Sequence, residues 1–315
     1  MKLIYIIYGF LSTYFFIKLS LPFFFNKNII DVPDKRSSHK RPTPTGGGIV
    51  FPLQSIFISI ISGDFLTLIC IPLSIVGLID DKLNISSKIR FSVQIVTASL
   101  MLYFYPEIVY KFKDIGISEI ILIPFLIFSF TAFFNFINFM DGIDGLVGGC
   151  ILFGFLFIGI KNEPLIFVIV GSILGFLRWN WNPAKIFMGD VGSTFLASYF
   201  LLSLIKSDNL NESLGIFLIL SPLTIDALIC VLKRFCYGEN IFRPHKLHLY
   251  QRLFQAGLSH SKVSILYSSA CLLLGITYSI FGIYYLLITI IILLIIGIFL
   301  DRKFAISFKD SLNMK

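Results

Sequence analysis

Apolar residues fill long runs of this chain from Leu3 to Leu300, and short polar segments separate the runs. Most runs approach the ~20 residues that an α-helix needs to cross a bilayer. The pattern predicts an all-α polytopic membrane protein with about eleven transmembrane helices, at residues 3–24, 47–62, 64–79, 91–106, 118–137, 145–160, 164–178, 192–206, 214–232, 263–281 and 283–300. The last two depend on dividing one long run near Gly282, and without that division the C-terminus changes sides.

Composition supports a membrane location for the whole chain. Hydrophobic residues make up 56% of it, mean hydropathy is +0.87, and charged residues are only 14%, against roughly 25% in soluble domains. No separate soluble domain fits between the apolar runs, so residues 1–315 are predicted to form a single integral membrane domain. Its polar segments are residues 25–46, 80–90, 138–145, 179–191 and 233–262.

The basic residues predict the orientation, because Lys and Arg accumulate in cytoplasmic loops. With the N-terminus outside, most of the 26 Lys and Arg residues and all five polar segments fall on the cytoplasmic side. The formal net charge of +8 would then attract anionic lipid head groups and phosphate-bearing substrates, and a nucleic-acid partner is not needed to explain it.

Five aspartates stand in three polar segments between apolar runs: Asp80 and Asp81, Asp141 and Asp144, and Asp190. A charge near lipid costs at least ~2.5 kcal/mol, so such residues usually line a polar site. The adjacent acids Asp80 and Asp81 repel each other, and a divalent cation would relieve that repulsion. The alternative is a solvated pair that ends a helix.

Asn138, Asp141 and Asp144 recur every three residues and would share one face of a helical turn. Their oxygen ligands suit Mg²⁺, whereas the absence of His and Cys beside them argues against zinc. Asp190 lies between two glycines before an apolar run. The alternative reading is that these residues merely cap helices.

Two basic loops contain further candidates. Residues 31–51 combine several cations, including Lys40, with three prolines and three consecutive glycines, and could be a ligand loop or a juxtamembrane anchor. The loop at 233–262 carries Arg243, His245 and His248, which could bind a diphosphate. His260 is expected to be solvated. The five cysteines lack metal-type spacing and are expected to be reduced packing residues.

Five segments occur in order between Asp31 and Leu253: RSSHKRPTPTGGG, GLIDD, NFINFMDGIDGL, NPAKIFMGDVGS and RPHKLHLYQRL. Together they resemble the polyprenyl-phosphate N-acetylhexosamine-1-phosphate transferases, glycosyltransferase family 4. The first and last segments are most similar to the branch that initiates O-antigen and other surface polysaccharides. Related branches often carry histidines where this chain has Tyr250 and Gln251.

The resemblance implies a phosphotransferase of the bacterial cytoplasmic membrane, with its active face cytoplasmic. It would transfer a sugar 1-phosphate from a UDP-N-acetylhexosamine to undecaprenyl phosphate and release UMP, with Mg²⁺ as cofactor and Mn²⁺ as a substitute. By motif position, Asp80 and Asp81 would deprotonate or orient the lipid phosphate, and Asp190 and Asn138 would bind Mg²⁺. The substrate-binding residues would be Lys40, Asp141, Asp144, Lys185, Phe187, Arg243, His245 and His248.

Two alternatives remain at this point: the phospho-N-acetylmuramoyl-pentapeptide transferase of peptidoglycan synthesis, and an ion-coupled transporter with carboxylates between repeated halves. The acids cluster at one predicted membrane face and the chain shows no repeat, which favours a transferase. Asp226 lies within an apolar run and is expected to pair with Lys233 and Arg234 or with a neighbouring helix.

Overall fold

The computed structural model describes residues 1–27, 29–33, 38–39, 41–83, 85–113, 116–161, 164–207, 209–240 and 245–313. These residues form the helices α1 (Lys2–Asn26), α2 (Val50–Ser62), α3 (Ile71–Leu83), α4 (Ser87–Phe104), α5 (Glu107–Lys113), α6 (Glu119–Met140), α7 (Leu146–Lys161), α8 (Ile166–Asn180), α9 (Asp190–Ile205), α10 (Leu210–Ile219), α11 (Ser221–Cys236), α12 (Leu249–Gln255), α13 (His260–Phe281), α14 (Ile283–Lys303) and α15 (Phe308–Asn313). 3₁₀ turns at Gly47–Ile49 and Phe65–Cys70 precede α2 and α3.

Each of the eleven predicted ranges contains helix, but one range is divided. The run predicted as 214–232 becomes α10 and α11, which meet at Leu220 with a bend of 71°. Pro222 lies at the start of α11. Its ring has no N–H to donate and would clash with a preceding carbonyl, so α10 cannot continue through it.

Length and composition allow four of the described helices to cross a membrane, namely α1, α6, α13 and α14, or five if the bent pair α10–α11 is one span. Four further apolar stretches are shorter, at Gly47–Ser62, Leu146–Lys161, Ile166–Asn180 and Asp190–Ile205. The chain is thus an α-helical membrane protein, while the count of eleven spans stays a prediction. One small departure from all-α is an antiparallel pair of two-residue strands, β1 (Ile30–Asp31) and β2 (Thr43–Pro44).

The first helix packs closely against a helix far along the chain. A side-chain carbon at Gly9 of α1 would lie 2.1 Å from the carbonyl oxygen of Val168, and one at Gly171 of α8 would lie 2.1 Å from that of Ile6. The Thr13 and Ser172 hydroxyls are 2.7 Å apart in this contact. Small residues and hydroxyl pairs of this kind let helix backbones approach within membranes.

Helix α9 lies at the centre of the bundle, with every residue from Val191 to Ile205 buried. Glycines in α3 and in the turn before α2 allow the N-terminal end of α9 to pack closely against both. A side-chain carbon at Gly77 of α3 would lie 2.5 Å from the carbonyl carbon of Asp190, and one at Gly48 would lie 2.3 Å from the Cα of Gly192. The start of α9 is therefore held directly beside the end of α3, where Asp80 and Asp81 lie.

Candidate active site

Asp81 caps the first turn of α9. Its carboxylate accepts hydrogen bonds from the backbone N–H groups of Asp190, at 2.9 Å, and Val191, at 3.4 Å. The preceding Gly189 has φ of +74°, and a side-chain carbon there would lie 2.3 Å from an Asp81 oxygen. Only glycine can adopt this φ and leave room for the Asp81 carboxylate. Gly189 and Asp190 at the start of α9 are therefore structurally linked to Asp81 of α3.

Asp80 takes part in a different set of contacts. A guanidinium nitrogen of Arg90, on α4, lies 2.6 Å from an Asp80 oxygen and 3.0 Å from an Asp190 oxygen. The two carboxylates come from different helices and 110 positions apart in the chain, yet they share one cation. Side-chain exposure of 13% for Asp80 and 23% for Asp190 leaves both partly accessible.

Asn138 completes this cluster from the last turn of α6. Its amide nitrogen donates to the same Asp190 oxygen at 3.2 Å, and its amide oxygen accepts from the Ser193 hydroxyl at 2.7 Å. Ser193 lies one turn after Asp190 on α9. The two residues predicted to bind Mg²⁺, Asp190 and Asn138, are therefore in direct contact.

Asp141 follows α6 and lies near the same group of acids. Burial, followed by the charges of Asp190 and Asp144, raises the pKa of Asp141 to about 7. A carboxyl group near other carboxylates is stabilised in its charged form by a nearby cation.

The residues of this cluster fit a hard divalent cation. Asp80 and Asp190, which share the Arg90 guanidinium, supply carboxylate oxygens and Asn138 supplies an amide oxygen, which is the ligand chemistry that Mg²⁺ prefers. The guanidinium of Arg90 between Asp80 and Asp190 shows that this place attracts positive charge. Arg90 is not among the site residues predicted from the sequence. Its signal was the third cation in the segment DDKLNISSKIR.

Two loops meet beside the cluster through backbone hydrogen bonds. The Phe187 N–H donates to the Pro44 carbonyl at 2.8 Å, and the Gly47 N–H donates back to the Phe187 carbonyl at 2.9 Å. Phe187 is half-buried, with the His39 ring 4.8 Å from it, and Lys185 lies over the Trp179 ring at 5.4 Å. The glycine-rich loop and the segment before α9 thus form one wall.

Asp144 is bonded within the protein. Its carboxylate accepts from the Asn182 amide at 2.8 Å and the Ala184 N–H at 3.1 Å, and lies 3.2 Å from the Nδ1 atom of His260. Burial acts to raise the pKa of Asp144, but the contacts with His260, Ala184 and Asn182 outweigh it and lower that pKa. The expectation of a solvated His260 is wrong, because this residue is only 6% exposed and packs against the carboxylate.

The predicted histidines lie just before α12. His248 is 1% exposed, and its ring is 4.9 Å from that of half-buried His245. Burial and the nearby charges of Arg234 and Arg252 lower the pKa of His248 to about 3, so it is neutral at physiological pH. It can offer a hydrogen bond but does not carry a transferable proton there.

Asp226 fixes the segment that bears these histidines. Its carboxylate accepts from the N–H groups of Leu249, at 2.8 Å, and Tyr250, at 3.2 Å, and from the Tyr267 hydroxyl at 2.7 Å. Asp226 therefore pairs with neighbouring helices, as one of the two predicted alternatives has it. Two predicted substrate-binding residues, Lys40 and Arg243, lie outside the described residues.

Comparison with known proteins fits this geometry. The family described as Glycosyl transferase family 4 matches residues 65–208, which include the site acids of α3 and α9 and Asp141 after α6. Phospho-N-acetylmuramoyl-pentapeptide-transferase of Listeria monocytogenes is 31% identical over 286 residues, covering 76% of this chain and 86% of the relative. The chain belongs to glycosyl transferase family 4. It is an enzyme, a transferase, which argues against the transporter alternative.

Other relatives within family 4 carry different names. A Bacillus subtilis protein named probable undecaprenyl-phosphate N-acetylglucosaminyl 1-phosphate transferase is 29% identical over 271 residues, 75% of this chain and 72% of the relative. The undecaprenyl-phosphate alpha-N-acetylglucosaminyl 1-phosphate transferase of Thermotoga maritima is 31% identical over 189 residues, 59% of this chain and 60% of the relative.

Proposed function

We propose that this family 4 member transfers an N-acetylhexosamine 1-phosphate from a UDP-sugar to undecaprenyl phosphate, giving undecaprenyl diphosphate sugar and UMP. The reaction would be the first membrane step of O-antigen or another surface polysaccharide, at the cytoplasmic face of a bacterial cytoplasmic membrane. The observation that carries the proposal is the contact of Asp80 and Asp190 with one Arg90 guanidinium, with Asn138 on Asp190.

The chemistry requires two phosphorylated reactants to meet. An oxygen of the lipid phosphate forms a bond with the β-phosphorus that bears the sugar, and the bond from that phosphorus to the bridging oxygen breaks, so that UMP leaves. Phosphoryl transfer of this kind depends on alignment and on neutralisation of charge more than on covalent chemistry. The cluster contains groups for both tasks.

Asp80 orients the lipid phosphate or accepts its proton, because it is the acid of the adjacent pair with a side chain turned toward the cluster. Arg90, which contacts Asp80 and Asp190, supplies positive charge for the phosphate groups. Asp81 holds the start of α9 and thereby positions Asp190.

Asp190 and Asn138 would hold Mg²⁺, with Mn²⁺ as a substitute. The ion would neutralise the charge that develops on the diphosphate. Asp141 lies beside these residues and would face the nucleotide side. The wall made by the glycine-rich loop and the Phe187 segment would bind the UDP-sugar, with Phe187 available to stack on uracil. Lys185 and His245 would contact the phosphates or the sugar, as would Lys40 and Arg243.

Release of UMP by the purified protein tests the proposal directly. Turnover should require a UDP-N-acetylhexosamine, undecaprenyl phosphate and Mg²⁺ together. Asp190→Asn should abolish turnover, and Asp80→Asn should lower it by ~10²-fold or more, as expected of a general base. Asp64→Asn is the matched control, since Asp64 also pairs with a cation, Lys206, but lies outside the cluster. Full activity of Asp190→Asn would remove that residue from the site.

The peptidoglycan transferase remains the second candidate, because the Listeria relative is covered over 86% of its length. A panel of donors separates the two candidates. Turnover with UDP-N-acetylhexosamines and not with UDP-N-acetylmuramoyl-pentapeptide would support the first proposal, and the reverse result would support the second.

A further inference from the structure

A cavity of about 400 Å³ lies between α11, α13 and α14. Asp80, Asp141 and Asp190 are not among the residues that line it, so it is separate from the carboxylate cluster. Its walls are mostly aliphatic, and Ala270 and Gly297 leave space on two of the helices. The volume falls within the ~300–1,000 Å³ of typical small-ligand sites.

The cavity is open toward the surroundings of the bundle. Four of its apolar lining residues remain substantially exposed: Ile229 of α11 at 40%, Leu266 of α13 at 37%, and Ile296 and Ile298 of α14 at 44% and 51%. These helices belong to or adjoin the candidate membrane spans. Apolar surface at such an opening faces lipid chains rather than water.

Charged residues line one end of the same cavity. Lys233 and Arg252 both contact the carboxylate of Asp301, the former at 2.8 Å, and the exposed Arg302 follows it on α14. Lys233, Arg252 and Arg302 outnumber the two carboxylates that line the cavity, Asp226 and Asp301, so the lining carries a net positive charge. An apolar cavity with a cationic end matches a molecule that has an acyl chain and an anionic head group.

We propose that this cavity binds an anionic phospholipid of the surrounding leaflet, with one acyl chain between α11, α13 and α14 and its phosphate at Lys233 and Arg302. The cavity volume suits a single acyl chain. The site is separate from the carboxylate cluster, where the lipid acceptor reacts, because none of the cluster's aspartates lines it.

The cationic end is connected to the segment that bears the histidines. Arg252 of α12 donates to the Leu247 carbonyl at 3.1 Å and to the Ile306 carbonyl at 2.9 Å, in addition to its contact with Asp301. A phosphate bound here stabilises the packing of α12 against the end of α14. The lipid thereby supports the position of His248 without contacting the reacting groups.

Native mass spectrometry of the detergent-purified protein, titrated with phosphatidylglycerol or phosphatidylcholine, tests the proposal independently of turnover. One phosphatidylglycerol should bind with preference over phosphatidylcholine. Gly297→Phe should weaken that binding at least tenfold, because no atom lies within 4 Å of a side-chain carbon at Gly297 and the ring can occupy the cavity. Gly297→Ala and the lipid-facing Ile291→Phe are the controls, and both should bind like the wild type.

A thermal melt establishes that Gly297→Phe is folded, and Ala270→Leu fills the same space from α13 if it is not. Arg302→Gln should remove the preference for phosphatidylglycerol, whereas Lys262→Gln, at an exposed cation that does not line the cavity, should keep it. Unchanged phosphatidylglycerol binding in the filled variants would overturn the proposal. One-for-one displacement by undecaprenyl phosphate would also overturn it, since the cavity would then belong to the acceptor.

Discussion

Asp80 and Asp81 are consecutive residues with different partners. The carboxylate of Asp81 accepts two backbone N–H groups of α9, while that of Asp80 faces Arg90 and Asp190. Helix geometry explains the difference in partners, because consecutive side chains on α3 point about 100° apart around the helix axis. The same chemical group is therefore a helix cap at one position and part of the reacting cluster at the next.

Replacement of each acid by alanine should separate the two roles. Asp81→Ala removes a cap, which costs about 1 kcal/mol, so the melting temperature should fall, and activity should fall with it as Asp190 moves. Asp80→Ala should change the melting temperature less and activity more. Melting curves and UMP release on the same samples provide the comparison. Equal loss of stability in both variants would contradict the assignment.

Asp141 should make stability depend on pH in the absence of a divalent cation. Its pKa is raised to about 7 in the folded protein, above the usual ~3.9 of an unfolded chain. Between these two values the folded protein binds a proton on Asp141 more strongly than the unfolded chain does. The stabilisation that comes from this proton is therefore present below pH 4 and is lost as pH rises to 7. Asp141→Asn lacks it.

The measurement is the melting temperature of the wild type minus that of Asp141→Asn, in Mg²⁺-free buffer from pH 5 to 8. The difference should decrease up to pH 7 and stay constant above it. A difference that rises with pH would mean that the folded protein stabilises the Asp141 carboxylate.

At the scale of elements, α4 and α6 are joined by a reciprocal pair of amides. The Gln94 nitrogen donates to the Asn135 oxygen at 3.2 Å, and the Asn135 nitrogen donates to the Gln94 oxygen at 2.7 Å. Gln94 lies one turn beyond Arg90, and Asn135 lies one turn before Asn138. The pair thus sets the spacing of two side chains that meet at Asp190.

Breaking this pair should lower stability and turnover together. Gln94→Leu leaves the Asn135 amide without its partner on α4, at a cost of about 1–2 kcal/mol for a membrane-buried group. The double variant Gln94→Leu/Asn135→Leu should be more stable than the sum of the single effects predicts. A double-mutant cycle of melting temperatures measures this coupling, and strict additivity would show that the amides act independently.

The regular helices could be predicted because long apolar runs have one stable solution in lipid. The shorter features depended on contacts with distant residues. The strand pair at Ile30–Asp31 and Thr43–Pro44 and the helix Leu249–Gln255 carry no periodic pattern of their own, and Asp226 supplies the hydrogen bonds at the start of that helix. The bend at Leu220 could have been predicted from Pro222. Hydropathy averaged over a window does not show it, because the segments on both sides of Pro222 are mostly apolar.

For the whole molecule, the predicted orientation can be tested by labelling introduced cysteines in intact cells. Cys236 is the exposed native cysteine among the described residues, so a Cys236→Ser background is required. Ser118→Cys, before α6, should react with a membrane-impermeant reagent from outside. Ser87→Cys, at the start of α4, should react only after the membrane is opened. Ready labelling of Ser87→Cys from outside would reverse the orientation.

The sequence predicted which residues form the candidate site better than it predicted what each of them contacts. Spacing and charge singled out Asp80, Asp190 and Asn138, which the fold brings into contact. Spacing placed Asp144 with them, but its partners are Asn182, Ala184 and His260, which lie in other segments. Arg90 was visible only as one cation among several until α4 placed it between two carboxylates.

The close fit of α1 to α8 has a consequence for biogenesis. The contact between Thr13 and Ser172 joins residues 159 positions apart, so the first helix enters the membrane long before its partner has been synthesised. The face of α1 that bears Gly9 and Thr13 is therefore in contact with lipids or other helices until Ile166–Asn180 emerges from the ribosome. A nascent chain halted before that point would leave this face of α1 without its partner helix.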